Sequence, residues 1–398
     1  MSTSRALKAL LLVAGLASSS GCVRSYASAP PLAFQDLDYS SAGAKTPWPV
    51  KRMALPKTAA TYGMTRVPEV AFVEMPAAPG ARTVVLIHGL GSYLKFWRAQ
   101  IDTLSRAGYH VIAVDLPGYG KSDKPGSFPY TMEAMADAVR ELTQGLGVEH
   151  PILVGHSMGG QTALSYAIRY PSEPAALVLV SPAGFEKFSP KEKAWFTRVM
   201  STELIKSAPE YGIWGSVRQA NFQNWRPELE WLIEERVRLA KSPEFDAYAY
   251  ANVRSVTGLA HDDFVRDNLH RITAPTVILF GESDRLIPNP FMHGGFPRDI
   301  FEYGHAHIAG SKLVGLEGCG HTVQLDCPEP FNTALEAFLR GVPVSTGTVA
   351  PPPPSELEPE AAPKTPPSTP QVPGPVDAVP PATPDRQGPP ATVLPHAS

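Results

Sequence analysis

The stretch "LVGHSMGGQTAL", residues 153–164, decides how the rest of the chain is read. A short apolar run ends in Gly-His-Ser-Met-Gly-Gly, and a helix-forming stretch follows at once. In the pattern Gly-x-Ser-x-Gly the serine occupies a strand-to-helix turn so sharp that its neighbours must lack side chains. Gly155 and Gly159 supply that clearance, and Gly160 adds more. The Ser157 hydroxyl then projects from the carboxyl edge of a sheet, where open α/β sheets place ligands. The backbone N–H of Met158, at the helix start, points to where an oxyanion would form. The competing reading is plain glycine-rich packing between strand and helix, so the decision rests on residues elsewhere.

Outward from this turn run short segments rich in Val, Ile and Leu. They are "TVVLIHG" (83–89), "YHVIAVD" (109–115), "PILVGHS" (151–157), "AALVLVSP" (175–182), "TVILFGESD" (276–284) and "KLVGLEG" (312–318). Such runs suit strands buried on both faces, as in a parallel sheet. Helical patterns fall between most of them, at about 94–107, 131–146, 158–170 and 329–340. The alternation predicts a doubly wound, mostly parallel α/β sheet built from residues 63–185 and 271–341. "EVAFVEM" (69–75) alternates and is expected as an edge strand.

Residues 186–270 break the rhythm, with no clear strand. "PELEWLIEERVRLA" (227–240) sets Leu229, Leu232, Ile233, Arg236, Val237 and Ala240 on one helical stripe. A helical lid inserted over the end of the sheet is expected. It holds Trp195, Trp214, Trp225 and Trp231, which either glue the insertion to itself or form an aromatic wall over an apolar substrate.

The two ends differ from the middle. Arg5 and Lys8 precede the apolar run "ALLLVAGLA" (9–17), too short for a membrane-spanning helix and typical of a signal peptide over residues 1–22. Small residues then lead into Cys22, as in a bacterial lipobox, although Ser19 stands where that pattern usually has Leu. Lipidation at Cys22 would place the chain on the cell envelope, with a membrane as partner; cleavage after Ala29 would make it a soluble secreted or periplasmic protein. Residues 23–62, rich in Ser, Ala and Pro without a sustained period, are expected as a tether. Of 43 prolines, eighteen lie between Val342 and Ser398, so the 342–398 tail is expected to be disordered. A net charge of −3 gives no reason to expect a nucleic-acid partner. Cys319 and Cys327 are expected to be unpaired, two small residues flanking His321, though their spacing permits a bridge.

A serine hydroxyl needs a base, and the base an orienting acid. Asp284 closes "TVILFGESD", and His321 follows the last strand in "EGCGHTVQLDCPEPF". Rival histidines, His305 and His307, sit in a polar stretch before that strand. Among rival acids, Glu282 should face away, Asp326 follows His321 too closely, and Asp115 is better read as holding loops together. The loop "HGLGS" (88–92) leaves backbone N–H groups free to turn inward, and Leu90 would supply a second oxyanion donor.

The segments "HGLGS", "DLPGYGKSDKP", "GHSMGG", "GESDRLIP" and "GCGHTVQLDCPEPF" occur in the order and spacing of the α/β-hydrolase superfamily. Over residues 65–341 the chain resembles its lidded lipase, esterase and meta-cleavage hydrolase-like branch. The resemblance implies Ser157 as nucleophile, His321 as general base, Asp284 as its partner, and Leu90 and Met158 as oxyanion donors. It implies neither metal nor cofactor. Ser157 argues against the epoxide hydrolases and haloalkane dehalogenases, which carry Asp there. Three functions follow: hydrolysis of a small, apolar carboxylic ester through an acyl-enzyme; cleavage of a C–C, amide or thioester bond on the same triad; or a non-catalytic envelope lipoprotein.

Overall fold

A computed structural model describes residues 24–44 and 46–342. Cys22, the rest of the expected signal segment, and the Pro-rich tail from residue 343 lie outside the described residues. Eight strands form one sheet: β1 (Val50–Ala54), β2 (Glu69–Met75), β3 (Thr83–Ile87), β4 (His110–Val114), β5 (Ile152–His156), β6 (Ala176–Val180), β7 (Thr276–Gly281) and β8 (Lys312–Leu316). Their order across the sheet is β1-β2-β4-β3-β5-β6-β7-β8. Only the β1–β2 and β2–β4 pairings are antiparallel. Every residue of β5, β6 and β7 is buried, as expected of strands covered on both faces.

The covering helices between these strands are α1 (Arg98–Arg106), α2 (Met132–Gly145) and α3 (Met158–Arg169). The segment between β6 and β7 is helical, with α4 (Pro190–Val199), α5 (Trp231–Leu239), α6 (Phe245–His261) and α7 (Asp263–Asp267). Then come α8 (Pro297–His307), which the sequence reading passed over as a polar stretch, and α9 (Pro328–Arg340). No described helix is long and apolar enough to cross a membrane.

The strand order sets the position of the site. From β3 the chain steps outward to β4, then returns to lay β5 on the other side of β3. The carboxyl ends of β3 and β5, paired at Ile87 and Gly155, therefore open into the crevice that such a reversal creates.

Three expectations are corrected. The segment 23–62 does not behave as a tether where it is described. Phe34, Leu37 and Tyr39 are buried in the main core, and Tyr26 packs with Ile213, Ile233 and Val237. Tyr39 also donates a 2.6 Å hydrogen bond to Asp115. These anchors lie at irregular spacing in extended chain, so they leave no periodic signal. In the same way β1 covers β2, and "EVAFVEM" is an inner strand with β1 as the edge. Finally, Cys319 and Cys327 form a disulfide, their Cα atoms 6.0 Å apart, within the usual range for a bridge.

If the N-terminal segment is part of the core, Phe34→Ala should cost about 3–5 kcal/mol of stability, read from denaturant unfolding. An unchanged midpoint would mean that residues 24–48 contribute nothing to the fold.

Candidate active site

Ser157 sits between β5 and α3 with φ 52° and ψ −114°. A non-glycine residue held there costs on the order of 1–3 kcal/mol, and the surroundings fix it. Its N–H donates to the Val180 carbonyl at 2.9 Å, while its own carbonyl accepts from Gln161 and Ala183, each at 3.1 Å. The flanking glycines are sterically required. A Cβ on Gly155 would lie 2.2 Å from the Gly159 carbonyl oxygen, and one on Gly159 would lie 2.3 Å from that of Ile87. The start of α3 is thus pressed against the end of β3.

The loop after β3 is set by His88, which is fully buried. Its Nε2 accepts from the Leu116 N–H at 3.0 Å, so Nδ1 carries the proton and donates to the Gly89 carbonyl at 2.8 Å. The Ser92 N–H donates to that same carbonyl at 3.2 Å. In a trans peptide, C=O and N–H point in opposite directions. Holding the Gly89 carbonyl therefore aims the Leu90 N–H the other way. Neither the Leu90 nor the Met158 N–H has a protein acceptor among the described residues. On the far side, the Gly91 carbonyl accepts from Tyr248 Oη of α6 at 3.1 Å and from Arg236 of α5 at 3.4 Å. Burial pushes the His88 pKa down to about 4, so the ring is neutral near pH 7.

His321 is buried, and its Nδ1 lies 2.7 Å from Asp284 Oδ2. The other Asp284 oxygen accepts from the Leu286 and Ile287 N–H groups at 2.8 and 3.1 Å. With Nδ1 donating to the carboxylate, Nε2 is left as an acceptor. The loop around His321 is bracketed by the Cys319–Cys327 disulfide. Asp326 reinforces it, accepting from Gly320 N–H at 2.6 Å and from Asn224 and Gln223 N–H of the insertion at 2.7 and 3.0 Å. Of the other acids, Glu282 pairs with Arg298, and Asp115 takes hydrogen bonds from Tyr39 and from the Leu94 and Lys121 N–H groups.

His156 was missed as a participant, because its only sequence signal is the unspecified position before Ser157. Its Nε2 donates to the His321 carbonyl at 3.2 Å, and the two rings are 4.9 Å apart. Burial, and then the neighbouring His321, hold its pKa well below the usual histidine value. Its Nδ1 is buried without a partner among the described residues.

Leu90, Ser157 and His321 line one cavity of about 300 Å³. Ser157 Oγ makes no hydrogen bond to a described residue, His321 included. The phenyl rings on the cavity wall are Phe188 and Phe196, and none of the tryptophans lines it. Trp214 and Trp225 pack on each other with centroids 6.0 Å apart, and Trp231 packs on Phe96 at 5.6 Å. The aromatic wall of tryptophans is therefore not formed.

Residues 82–328 match the family model of the alpha/beta hydrolase fold. The chain is 30% identical over 285 residues to a 2-hydroxy-6-oxononadienedioate/2-hydroxy-6-oxononatrienedioate hydrolase of Paraburkholderia phymatum, spanning 65% of this chain and 88% of that protein. Among solved structures, a thermophilic esterase from Thermogutta terrifontis superposes with a TM-score of 0.60 at 26% identity, covering 73% of this chain and 99% of that one. An esterase from Exiguobacterium antarcticum gives a TM-score of 0.58 at 26% identity over 69% of this chain and 96% of that one. The chain belongs to the α/β-hydrolase fold family, and it is a hydrolase.

Proposed function

We propose that the protein hydrolyses carboxylic esters through an acyl-enzyme on Ser157. The observation that carries this reading is the 2.7 Å His321–Asp284 hydrogen bond at a cavity shared with a strained serine turn. Ser157 Oγ attacks the ester carbonyl while His321 Nε2 takes its proton. The oxyanion is held by the Leu90 and Met158 N–H groups, and the proton passes to the leaving alcohol. Water, activated by the same imidazole, then releases the acid. Asp284 holds the required tautomer and stabilises the imidazolium that forms. The esterase neighbours support the choice of ester. The similarity to a dioate hydrolase supports a second reading, C–C bond hydrolysis on the same residues.

Parallel turnover of p-nitrophenyl acyl esters and of amide and diketone analogues separates the two. Ester hydrolysis and fluorophosphonate labelling should both vanish in Ser157→Ala, with kcat falling roughly 10⁶-fold. Labelling that persists in the variant would remove Ser157 from the chemistry.

The reading of the Leu90 loop makes its own demand. In His88→Ala the Gly89 carbonyl loses its side-chain donor, so kcat should drop roughly 10²-fold or more while KM changes little, since the Leu90 donor acts on the transition state. A rise in KM at constant kcat would argue instead for a damaged binding wall.

We further propose, from the lipobox-like run alone, that Cys22 is lipidated and anchors the chain to the bacterial envelope. Cys22→Ser should then release the protein from the membrane fraction. Unchanged membrane association would remove the assignment.

A further inference from the structure

The cavity is unbalanced in charge. It is lined by two carboxylates, Glu186 and Asp262, and by no lysine or arginine. Glu186 follows β6; its Oε1 accepts from the Asn289 N–H and from His293 Nδ1, each at 2.7 Å. Its Oε2 has no hydrogen-bond partner among the described residues. The far nitrogen of His293 lies 3.6 Å from Glu192, so that imidazole is shared between two acids. Asp262 caps α7 through the Val265 N–H at 3.2 Å and accepts from Gln161 Nε2, on the nucleophile's own helix, at 2.8 Å. Arg266, one turn beyond Asp262, is turned away, with its Nε on the Phe185 carbonyl at 3.3 Å and its guanidinium over Tyr303. Burial raises both carboxyl groups, Asp262 to about 6, so that Asp262 is largely ionised at pH 8.

We infer that Glu186 and Asp262 determine specificity by charge, so that the site takes esters whose acyl part is neutral or cationic and rejects those carrying a carboxylate. This rests on the ester-hydrolase reading and narrows it. A carboxylate entering the cavity meets like charge with no lysine or arginine on the wall to offset it. One unit charge at about 8 Å, at an effective dielectric constant of about 20, amounts to roughly thirtyfold in binding. The dioate hydrolase to which the chain is similar is named for a substrate with two carboxylates; the cavity here is poorly suited to such an acid.

The test uses three p-nitrophenyl esters of similar length: the valerate, the hemiglutarate and the 4-trimethylammoniobutyrate. Each kcat/KM is divided by the ester's rate with hydroxide, at pH 8 and low salt. The hemiglutarate should fall at least about tenfold below the valerate, with the cationic ester equal to the valerate or better. Asp262→Asn keeps the cap and leaves Gln161 able to turn its unpartnered Oε1 toward the new amide. In that variant, and in Glu186→Gln, the valerate-to-hemiglutarate ratio should shrink severalfold, with folding checked by circular dichroism. Equal turnover of valerate and hemiglutarate by the wild type overturns the inference and leaves the esterase reading standing, as does an unchanged ratio in both folded variants. Failure of all three esters, with Ser157 unlabelled by fluorophosphonate, overturns the esterase reading and this inference with it.

Discussion

The start of α3 lies so close to β3 that a methyl group on Gly159 would strike the Ile87 carbonyl. This approach governs the rest of the site. It forces the backbone through the positive-φ turn at Ser157 and brings the first N–H of the helix beside the loop that leaves β3. The strain is carried by backbone hydrogen bonds of the fold itself, from Ser157 N–H to β6 and from Gln161 of α3 and Ala183 beyond β6 to its carbonyl. The geometry is therefore present before substrate arrives, as electrostatic stabilisation of a transition state requires.

Three imidazoles belong to the segments that meet here, and the partners of each fix which of its nitrogens carries the proton. His88 donates from Nδ1 to a carbonyl and accepts at Nε2 from a backbone N–H. His156 donates from Nε2 to the carbonyl of His321. His321 alone meets a carboxylate. His88 and His156 have no carboxylate partner among the described residues, and burial shifts their pKa values down. The third, His321, directs its Nδ1 at the Asp284 carboxylate. One buried environment thus separates two positioning histidines from one suited to moving a proton.

Much of this was legible in the sequence, for reasons that can be named. The doubly buried strands announce themselves as runs of Val, Ile and Leu, and their alternation with helices fixes the sheet. Ser157, Asp284 and His321 could be picked out because each ends a strand or follows one. What escaped notice depends on contacts without period. Phe34 and Tyr39 fill the core from irregular chain, and α8 was hidden by its polar residues and paired histidines. The disulfide could not be decided because eight residues of separation allow either state; only the fold of the His321 loop brings the sulfur atoms together. The tryptophans of the insertion were placed by composition, whereas the cavity wall uses Phe188 and Phe196.

The insertion between β6 and β7 bears on both halves of the site. Tyr248 and Arg236 hold the Gly91 carbonyl of the loop that carries Leu90. Residues 221–226 hold the loop that carries His321: Asn221 accepts from the Thr322 N–H at 3.1 Å, Gln223 and Asn224 donate to Asp326, and Arg226 donates to the Leu325 and Asp326 carbonyls at 2.7 and 2.8 Å. At about 1 kcal/mol for a neutral hydrogen bond and more for a charged one, lifting residues 221–226 away from the site would cost several kcal/mol. It would also leave the buried Asp326 carboxylate short of two donors. These contacts make the segment part of the support for the loops that carry Leu90 and His321, so a substrate entering the cavity does so against a wall that the insertion itself holds in place.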